Sequence, residues 1–280
     1  MLVPFRLVDV FCERPLQGNQ LCVVPDPVPI DDVAMQALAK EIGFSETTFV
    51  SEAGGDRYAM RIFTPDAELP FAGHPTLGTA FVMVSEGRVT TPLIQVVAAG
   101  EIPVEVDVEH GFARMRQLPP TFGDHVEDVS SVAAAIGLSP GELHPELRPQ
   151  AVSTGLSHLV IPVRDLDTLR RAERNTDAAR SLVRDLSVDG LYPFALTSDG
   201  ATARMFDVDF GVGEDPATGS AAGPLGAYLA AHAAGGMPGS IRIRQGEQVG
   251  RPSLLEVDVL PEGDSWRVFV GGGVAVVGRG

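Results

Sequence analysis

Arg61-Ile62-Phe63-Thr64-Pro65-Asp66-Ala67-Glu68-Leu69-Pro70-Phe71-Ala72-Gly73-His74-Pro75-Thr76-Leu77-Gly78-Thr79-Ala80 decides the fold, because its pattern returns once. The second copy has Arg204-Met205-Phe206 and then Pro216-Ala217-Thr218-Gly219-Ser220-Ala221. Each copy reads R-x-F, a short polar stretch, then P-x-x-G-[TS]-A opening an apolar run. The arginines lie 143 residues apart and the prolines 141, about half of the 280-residue chain. Two copies of one strand–turn–helix unit imply two similar domains related by a pseudo-twofold axis. A cleft between them would be lined by the turn residues Gly73-His74 and Glu214-Asp215.

The run after each copy predicts an unusual helix. Leu77–Val84 has no polar face, and neither has Ala221–Ala231. A helix that is apolar all round must be enclosed, by lipid or by protein. No segment reaches the ~18 apolar residues of a bilayer span. Each helix is therefore expected at the centre of its own domain, wrapped by a curved sheet. Gly78, Gly219, Gly223 and Gly226 would let strands approach the helix backbone, at a helix-propensity cost of roughly 1 kcal/mol each against Ala.

Outward from these helices the pattern is rich in strands. Phe5–Phe11 alternates, Leu21–Val24 follows a turn-rich segment, and Thr47–Val50 and Tyr58–Phe63 are β-rich. Leu93–Ala98 and Ile102–Val108 read as antiparallel strands. Asp31-Asp32 caps a helix with apolar positions Val33, Met35, Leu38 and Ile42. The polar, Pro-bearing stretch Leu118–Asp128 marks a domain boundary, so the expected domains are 1–120 and 121–280. The second half predicts helices over Val129–Ile136 and Thr176–Leu186, with strands over Leu159–Val163, Leu191–Leu196 and Ala201–Phe206. The final strands, Trp266–Val270 and Val274–Val277, could cross back to the first domain; spacing does not decide this. The expected class is α+β: two pseudo-symmetric domains, each a mostly antiparallel curved sheet around a central apolar helix, with the active site in the interdomain cleft.

Composition narrows the function. A net charge of −16 argues against nucleic acid and anionic membrane partners. Cys12 and Cys22 are too few for a disulfide framework, and the start shows no signal-peptide anatomy, so the cytoplasm is expected. No HxxxH, HxH or CxxC spacing occurs, so no metal is expected. There is no G-x-S-x-G elbow, and Gly211-Val212-Gly213 lacks the third glycine of a dinucleotide fingerprint.

The chemistry is expected at the two helix starts, where unpaired N–H groups and a partial positive charge are exposed. Pro75 and Pro216 suit a first helical position. Two such starts could hold a carboxylate without Arg or Lys. The candidates are Gly73, His74 and Thr76 on one side, and Asp215, Gly219 and Ser220 on the other. Taken singly, Asp215, Thr76, Thr218 and Ser220 read as helix caps. Their symmetric recurrence turns the reading towards a site. Glu46, in Ser45-Glu46-Thr47-Thr48-Phe49, reads alone as a solvated turn residue.

The stretches Phe44–Val50, Arg61–Ala80 and Glu214–Ala221, with Asp9-Val10-Phe11, Gly18-Asn19, Gln245-Gly246 and Gly250–Ser253, resemble the PhzF-like phenazine-biosynthesis family over nearly the whole chain. That resemblance implies a diaminopimelate-epimerase-like fold and, by analogy, a homodimer. Its namesake is a cofactor-free isomerase of trans-2,3-dihydro-3-hydroxyanthranilate. Carried over by motif, Glu46 is the acid/base residue, supported by His74, Asp215 and Ser220. Gly73, Thr76, Gly219, Ser220, Gly18 and Asn19 are expected to bind a small carboxylate substrate, with no cofactor. Two alternatives stay open at this point. One is an amino-acid racemase or epimerase, although Cys12 and Cys22 lie in one half. The other is a non-catalytic binding protein.

Overall fold

The computed structural model describes residues 2–27, 29–208, 213–232 and 239–280. Gly211 and Val212, of the rejected dinucleotide motif, lie outside the described residues. The chain forms two compact units, one of Met1–Arg116 with Gly271–Gly280, the other of Gln117–Val270.

The first unit contains β1 (Arg6–Val10), β2 (Asn19–Val24), α1 (Asp32–Ile42), β3 (Glu46–Gly54), β4 (Arg57–Phe63), β5 (Glu68–Leu69), α2 (Gly73–Ser85), β6 (Leu93–Val97), β7 (Gly100–Asp107) and β8 (Phe112–Arg116). β1 pairs antiparallel with β2, β2 parallel with β3, and β3 antiparallel with β4. β4 carries β5 on one end and runs parallel to β6, which continues antiparallel through β7 to β8. The chain's last strand joins β8 and then β1, where Val10 opposes Val274, so the sheet closes into a barrel.

Helix α2 is buried continuously from Gly73 to Met83 and packs on β1, β2, β3, β7 and β8. Gly78 is required by that packing: a Cβ there would stand 2.6 Å from Leu21 Cδ2 and 2.8 Å from Val10 Cγ2. Outside the barrel, Asp31 caps α1 by accepting from the Ala34 N–H, and Gly43 ends it at φ +70°. That left-handed turn delivers the chain into β3, whose first residue is Glu46.

The second unit contains β9 (Thr121–His125), α3 (Val129–Ala135), β10 (Gln150–Ser153), β11 (Ser157–Pro162), α4 (Leu166–Arg171), α5 (Thr176–Leu186), β12 (Gly190–Thr197), β13 (Gly200–Ala203), β14 (Met205–Asp207), β15 (Glu214–Asp215), α6 (Gly219–His232), β16 (Gly239–Gln245) and β17 (Ser253–Glu262). β18 (Ser265–Arg279) begins here and ends in the first unit's barrel. β11 runs parallel to β12 and antiparallel to β10, which also pairs with β9. β13 runs parallel to β16, which pairs antiparallel with β17.

Alternation along β11 sorts its two faces. Leu159 and Ile161, with the following Val163, join Val132, Leu169, Leu182 and Val183 in a core beneath α3, α4 and α5. His158 faces α6 instead. α6 is buried over nearly its whole length, and Gly226 lets Val257 and Val259 of β17 lie against its backbone. Among the described residues no helix is long and apolar enough to cross a membrane.

The structure shifts several sequence expectations. Pro75 is the third residue of α2, where its missing N–H is one of the groups a helix start leaves unpaired anyway. Pro216 precedes α6, whose first intrahelical bonds run to the Thr218 carbonyl. The boundary stretch Leu118–Asp128 contains strand β9, all of it exposed.

The repeated motif builds the same local device twice. Arg61 forks onto Glu68 with two 2.7 Å bonds, and its guanidinium lies 5.1 Å from the centre of the Phe63 ring. Arg204 forks onto Glu214 at 2.9 and 2.6 Å and lies 4.8 Å from Phe206. In each case the acid sits on the two-residue strand paired with the R-x-F strand.

Candidate active site

In the first unit the sequence candidates converge on the start of α2. Glu46 opposes Leu21 across the parallel β2–β3 pair, which places its carboxylate beside the helix entrance. Glu46 Oε2 lies 3.2 Å from His74 Nε2, and their side chains are only 15% and 5% exposed. Ser45 donates its hydroxyl to Asn19 Oδ1 at 3.2 Å, tying the residue before Glu46 to β2. Gly18, at φ +73°, has the Val10 carbonyl 2.2 Å from where a Cβ would sit, so the turn before Asn19 accepts only glycine. Ala72, at the N-cap of α2, has no side-chain oxygen to cap the first turn.

Thr76 is fixed within the protein. Its hydroxyl donates to the Ala72 carbonyl at 2.9 Å and accepts from Gln95 Nε2 at 2.8 Å, while Tyr58 donates to Gln95 Oε1. This buried Tyr–Gln–Thr chain has a counterpart in the second unit. Tyr192 donates to Gln245 Oε1 at 2.8 Å, and Gln245 Nε2 donates to Thr218 Oγ1 at 3.0 Å and to the Asp215 carbonyl at 2.8 Å. Sequence reasoning did not assign these glutamines a role. The available signal was an amide at the inward position of an otherwise apolar strand, as in Leu93-x-Gln95-x-Val97 and Ile241-x-Ile243-x-Gln245.

The second unit's candidates gather at the start of α6. Asp215 Oδ2 accepts from the Thr218 hydroxyl at 2.5 Å. Burial, and then the charge of Asp215, push the Tyr192 phenol well above its ordinary range. The Gly219 carbonyl accepts from Gln117 Nε2 at 2.9 Å, and Gln117 Oε1 accepts from Thr154 at 2.6 Å. Ser220 Oγ lies 3.2 Å from His158 Nε2. Burial lowers the His158 pKa from 6.5 to about 4, so the ring is neutral at pH 7. Thr218, Gly219 and Ser220 are thus each held by a different buried side chain. Pro224 also removes the N–H that would otherwise bond the Ser220 carbonyl inside the helix.

The thiols stand apart from these groups. Cys12 donates to the Asp9 and Gly273 carbonyls, and burial pushes the Cys22 thiol up to about 12. Among the described residues, no group of three or more His, Cys, Asp or Glu is placed to hold a metal ion.

The sequence model of the family described as phenazine biosynthesis-like protein matches residues 8–280. The trans-2,3-dihydro-3-hydroxyanthranilate isomerase of Pseudomonas chlororaphis is 35% identical, over 99% of this chain and 98% of its own. A phenazine biosynthesis protein of the PhzF family from Bacillus anthracis superposes with a TM-score of 0.90 at 27% identity, covering 99% of this chain and 98% of that one. A predicted epimerase from Pseudomonas aeruginosa gives 0.87 at 35% identity, covering 100% and 98%. This chain therefore belongs to the phenazine biosynthesis-like, or PhzC-PhzF, family.

Proposed function

We propose that this chain, an isomerase of the PhzF family, moves a proton on a small carboxylate substrate such as trans-2,3-dihydro-3-hydroxyanthranilate, with Glu46 as the acid/base group. The observation that carries the reading is the shielded Glu46–His74 pair, 3.2 Å apart at the start of a buried helix whose N-cap residue, Ala72, offers no side-chain cap. A carboxylate taken out of water becomes a stronger base, and one proton can pass between such a group and its neighbour. Glu46 removes a proton from the carbon next to an unsaturated system and returns it, or a solvent proton, elsewhere on the substrate. His74 and Asp215 hydrogen-bond the substrate's amino or hydroxyl groups. Ser220 holds the carboxylate or developing negative charge. This chemistry draws on side chains alone.

A thiol-based racemase is not favoured, because Cys12 and Cys22 are both buried in the first unit and the Cys22 thiol resists ionisation.

The test is NMR of the purified protein in D₂O with trans-2,3-dihydro-3-hydroxyanthranilate, beside Glu46→Gln. The expected result is loss of substrate ring C–H signals with new product signals in the wild type, and neither in the variant. Product formation by Glu46→Gln at the wild-type rate would overturn the assignment of the base. Ligand binding without any proton exchange would favour the binding-protein alternative. The homodimer that the family resemblance carries is tested by sedimentation of the same preparation.

A further inference from the structure

Among the described residues of the second unit, His158 is the histidine whose ring is buried, and it sits in none of the motifs quoted above. It lies on β11, opposite Val152 on one side and Gly190 on the other, with 2% of its surface exposed. Its Nε2 reaches the Ser220 hydroxyl at 3.2 Å. Its Nδ1 is buried and meets no protein partner among the described residues.

A neutral imidazole carries one N–H and one bare lone pair, so two arrangements are open. With the proton on Nδ1, a buried N–H would lack a protein acceptor, and the Ser220 proton would point inward to Nε2. With the proton on Nε2, the orphaned atom is a bare lone pair. Orphaned buried N–H groups are the rarer kind, so the second arrangement is preferred. It has a chemical consequence. Ser220 Oγ then accepts from the ring, and its own proton must turn away from it.

We propose that His158 is a positioning residue, whose Nε2–H fixes Ser220 as an outward hydrogen-bond donor to a carboxylate or enolate-like oxygen of the substrate. The inference rests on the reading of Ser220 as a substrate-binding residue. It adds the group that decides which way the serine hydroxyl points. The anchored neighbours of Ser220 serve the same end: Gln245 on Thr218 and Gln117 on Gly219 keep the first turn of α6 from rotating the hydroxyl out of line.

Two measurements test it. The first needs no substrate: two-bond ¹H–¹⁵N correlation spectra of the full-length protein, with His158 assigned by its loss in His158→Gln. The expected pattern is a protonated Nε2 and a bare Nδ1 at pH 7. A proton on Nδ1, or a charged ring, would overturn the proposal. The second measures binding of anthranilate, as a plain aromatic carboxylate probe, to the wild type, Ser220→Ala, His158→Phe, His158→Gln and the double variant His158→Phe/Ser220→Ala. A charge-assisted hydrogen bond predicts roughly ten- to hundredfold weaker binding in Ser220→Ala and His158→Phe alike. The double variant should be no worse than Ser220→Ala, and His158→Gln, which keeps an N–H, should recover part of the loss. Independent, multiplying losses would show that His158 does not act through Ser220. Failure of the wild type to bind anthranilate would overturn the substrate class of the proposed function, while the tautomer still decides the orientation of the serine.

Discussion

Glu46 Oε2 and His74 Nε2 stand 3.2 Å apart, one at the first residue of a strand and the other at the second residue of a buried helix. Rigid elements hold both, so removing either group changes the chemistry more than the shape. Glu46→Gln is expected to lower turnover by ~10²–10⁴-fold, the range of a placed acid/base group. His74→Asn should cost about a hundredfold, the lower end of that range. Steady-state kinetics on the isomerised substrate, with thermal melts as a folding control, checks both.

Burial of His158 makes a prediction about acid. Its folded pKa, about 4, lies below the ordinary 6.5, so the unfolded chain binds the extra proton first as pH falls. Its contribution is complete above about pH 6.5 and is lost progressively down to about pH 4. The total is of order 3 kcal/mol. Urea unfolding at intervals from pH 7 to 4 should show a shallower pH slope in His158→Phe than in the wild type, whatever the variant's stability at pH 7.

The two copies of the R-x-F device differ in exposure, and that should decide their worth. Arg204 and Glu214 are 8% and 14% exposed, and Arg204 also donates to the Leu169 and Ala172 carbonyls. Arg204→Ala leaves a shielded carboxylate and the carbonyls of Leu169, Arg170 and Ala172 without their cation, and should cost about 3–5 kcal/mol. Arg61 and Glu68 are 31% and 39% exposed, so Arg61→Ala should cost about 1 kcal/mol or less. Parallel denaturation curves would reveal the contrast; equal losses would refute the burial argument.

Gln245 is 1% exposed and joins Tyr192, Thr218 and Asp215. Gln245→Leu orphans several buried polar groups at once and is expected to cost about 3 kcal/mol or more, whereas Tyr192→Phe, which removes one hydroxyl, should cost about 1. Equilibrium unfolding measures both.

Gly226→Ala tests the close approach of strand to helix. Alanine favours helix by about 1 kcal/mol, but its Cβ would lie 2.5 Å from Val257 Cγ1 in a packed core. Overpacking of this kind costs about 1–3 kcal/mol, so the variant should be no more stable than the wild type and is expected to be less so. A raised melting temperature would contradict the packing described here.

Much of this architecture could be read from the chain, and the exceptions have physical causes. The helix expected over Thr176–Leu186 has those bounds, because Asn175 caps it and its charged face is unmistakable. Strand β9 was hidden, since five exposed residues carry no hydrophobic alternation. Two strands were expected near the C-terminus, where the structure has one, β18. Gly271-Gly272-Gly273 interrupts the apolar pattern, yet the backbone runs on. A Cβ at Gly271 would stand 2.8 Å from the Ala113 carbonyl, and one at Gly273 would stand 2.0 Å from that of Cys12. Glu46 and His74 were marked by motif. His158 and Gln95 were not, and Gln245 was quoted in a motif but given no role, because a lone polar residue in a strand gains its meaning only from the strand or helix across from it.

The passage of β18 from one unit into the other sets an order of events during synthesis. The first 116 residues leave the ribosome well before Gly271–Gly280, the piece that joins β8 to β1. Until that piece has been made, β1 and β8 therefore present open strand edges, the kind that pair with whatever strand arrives first. A stop codon before Gly271 would leave that condition permanent and yield an aggregation-prone product. Ten residues, Gly271–Gly280, thus act as the clasp on the first-made part of the protein.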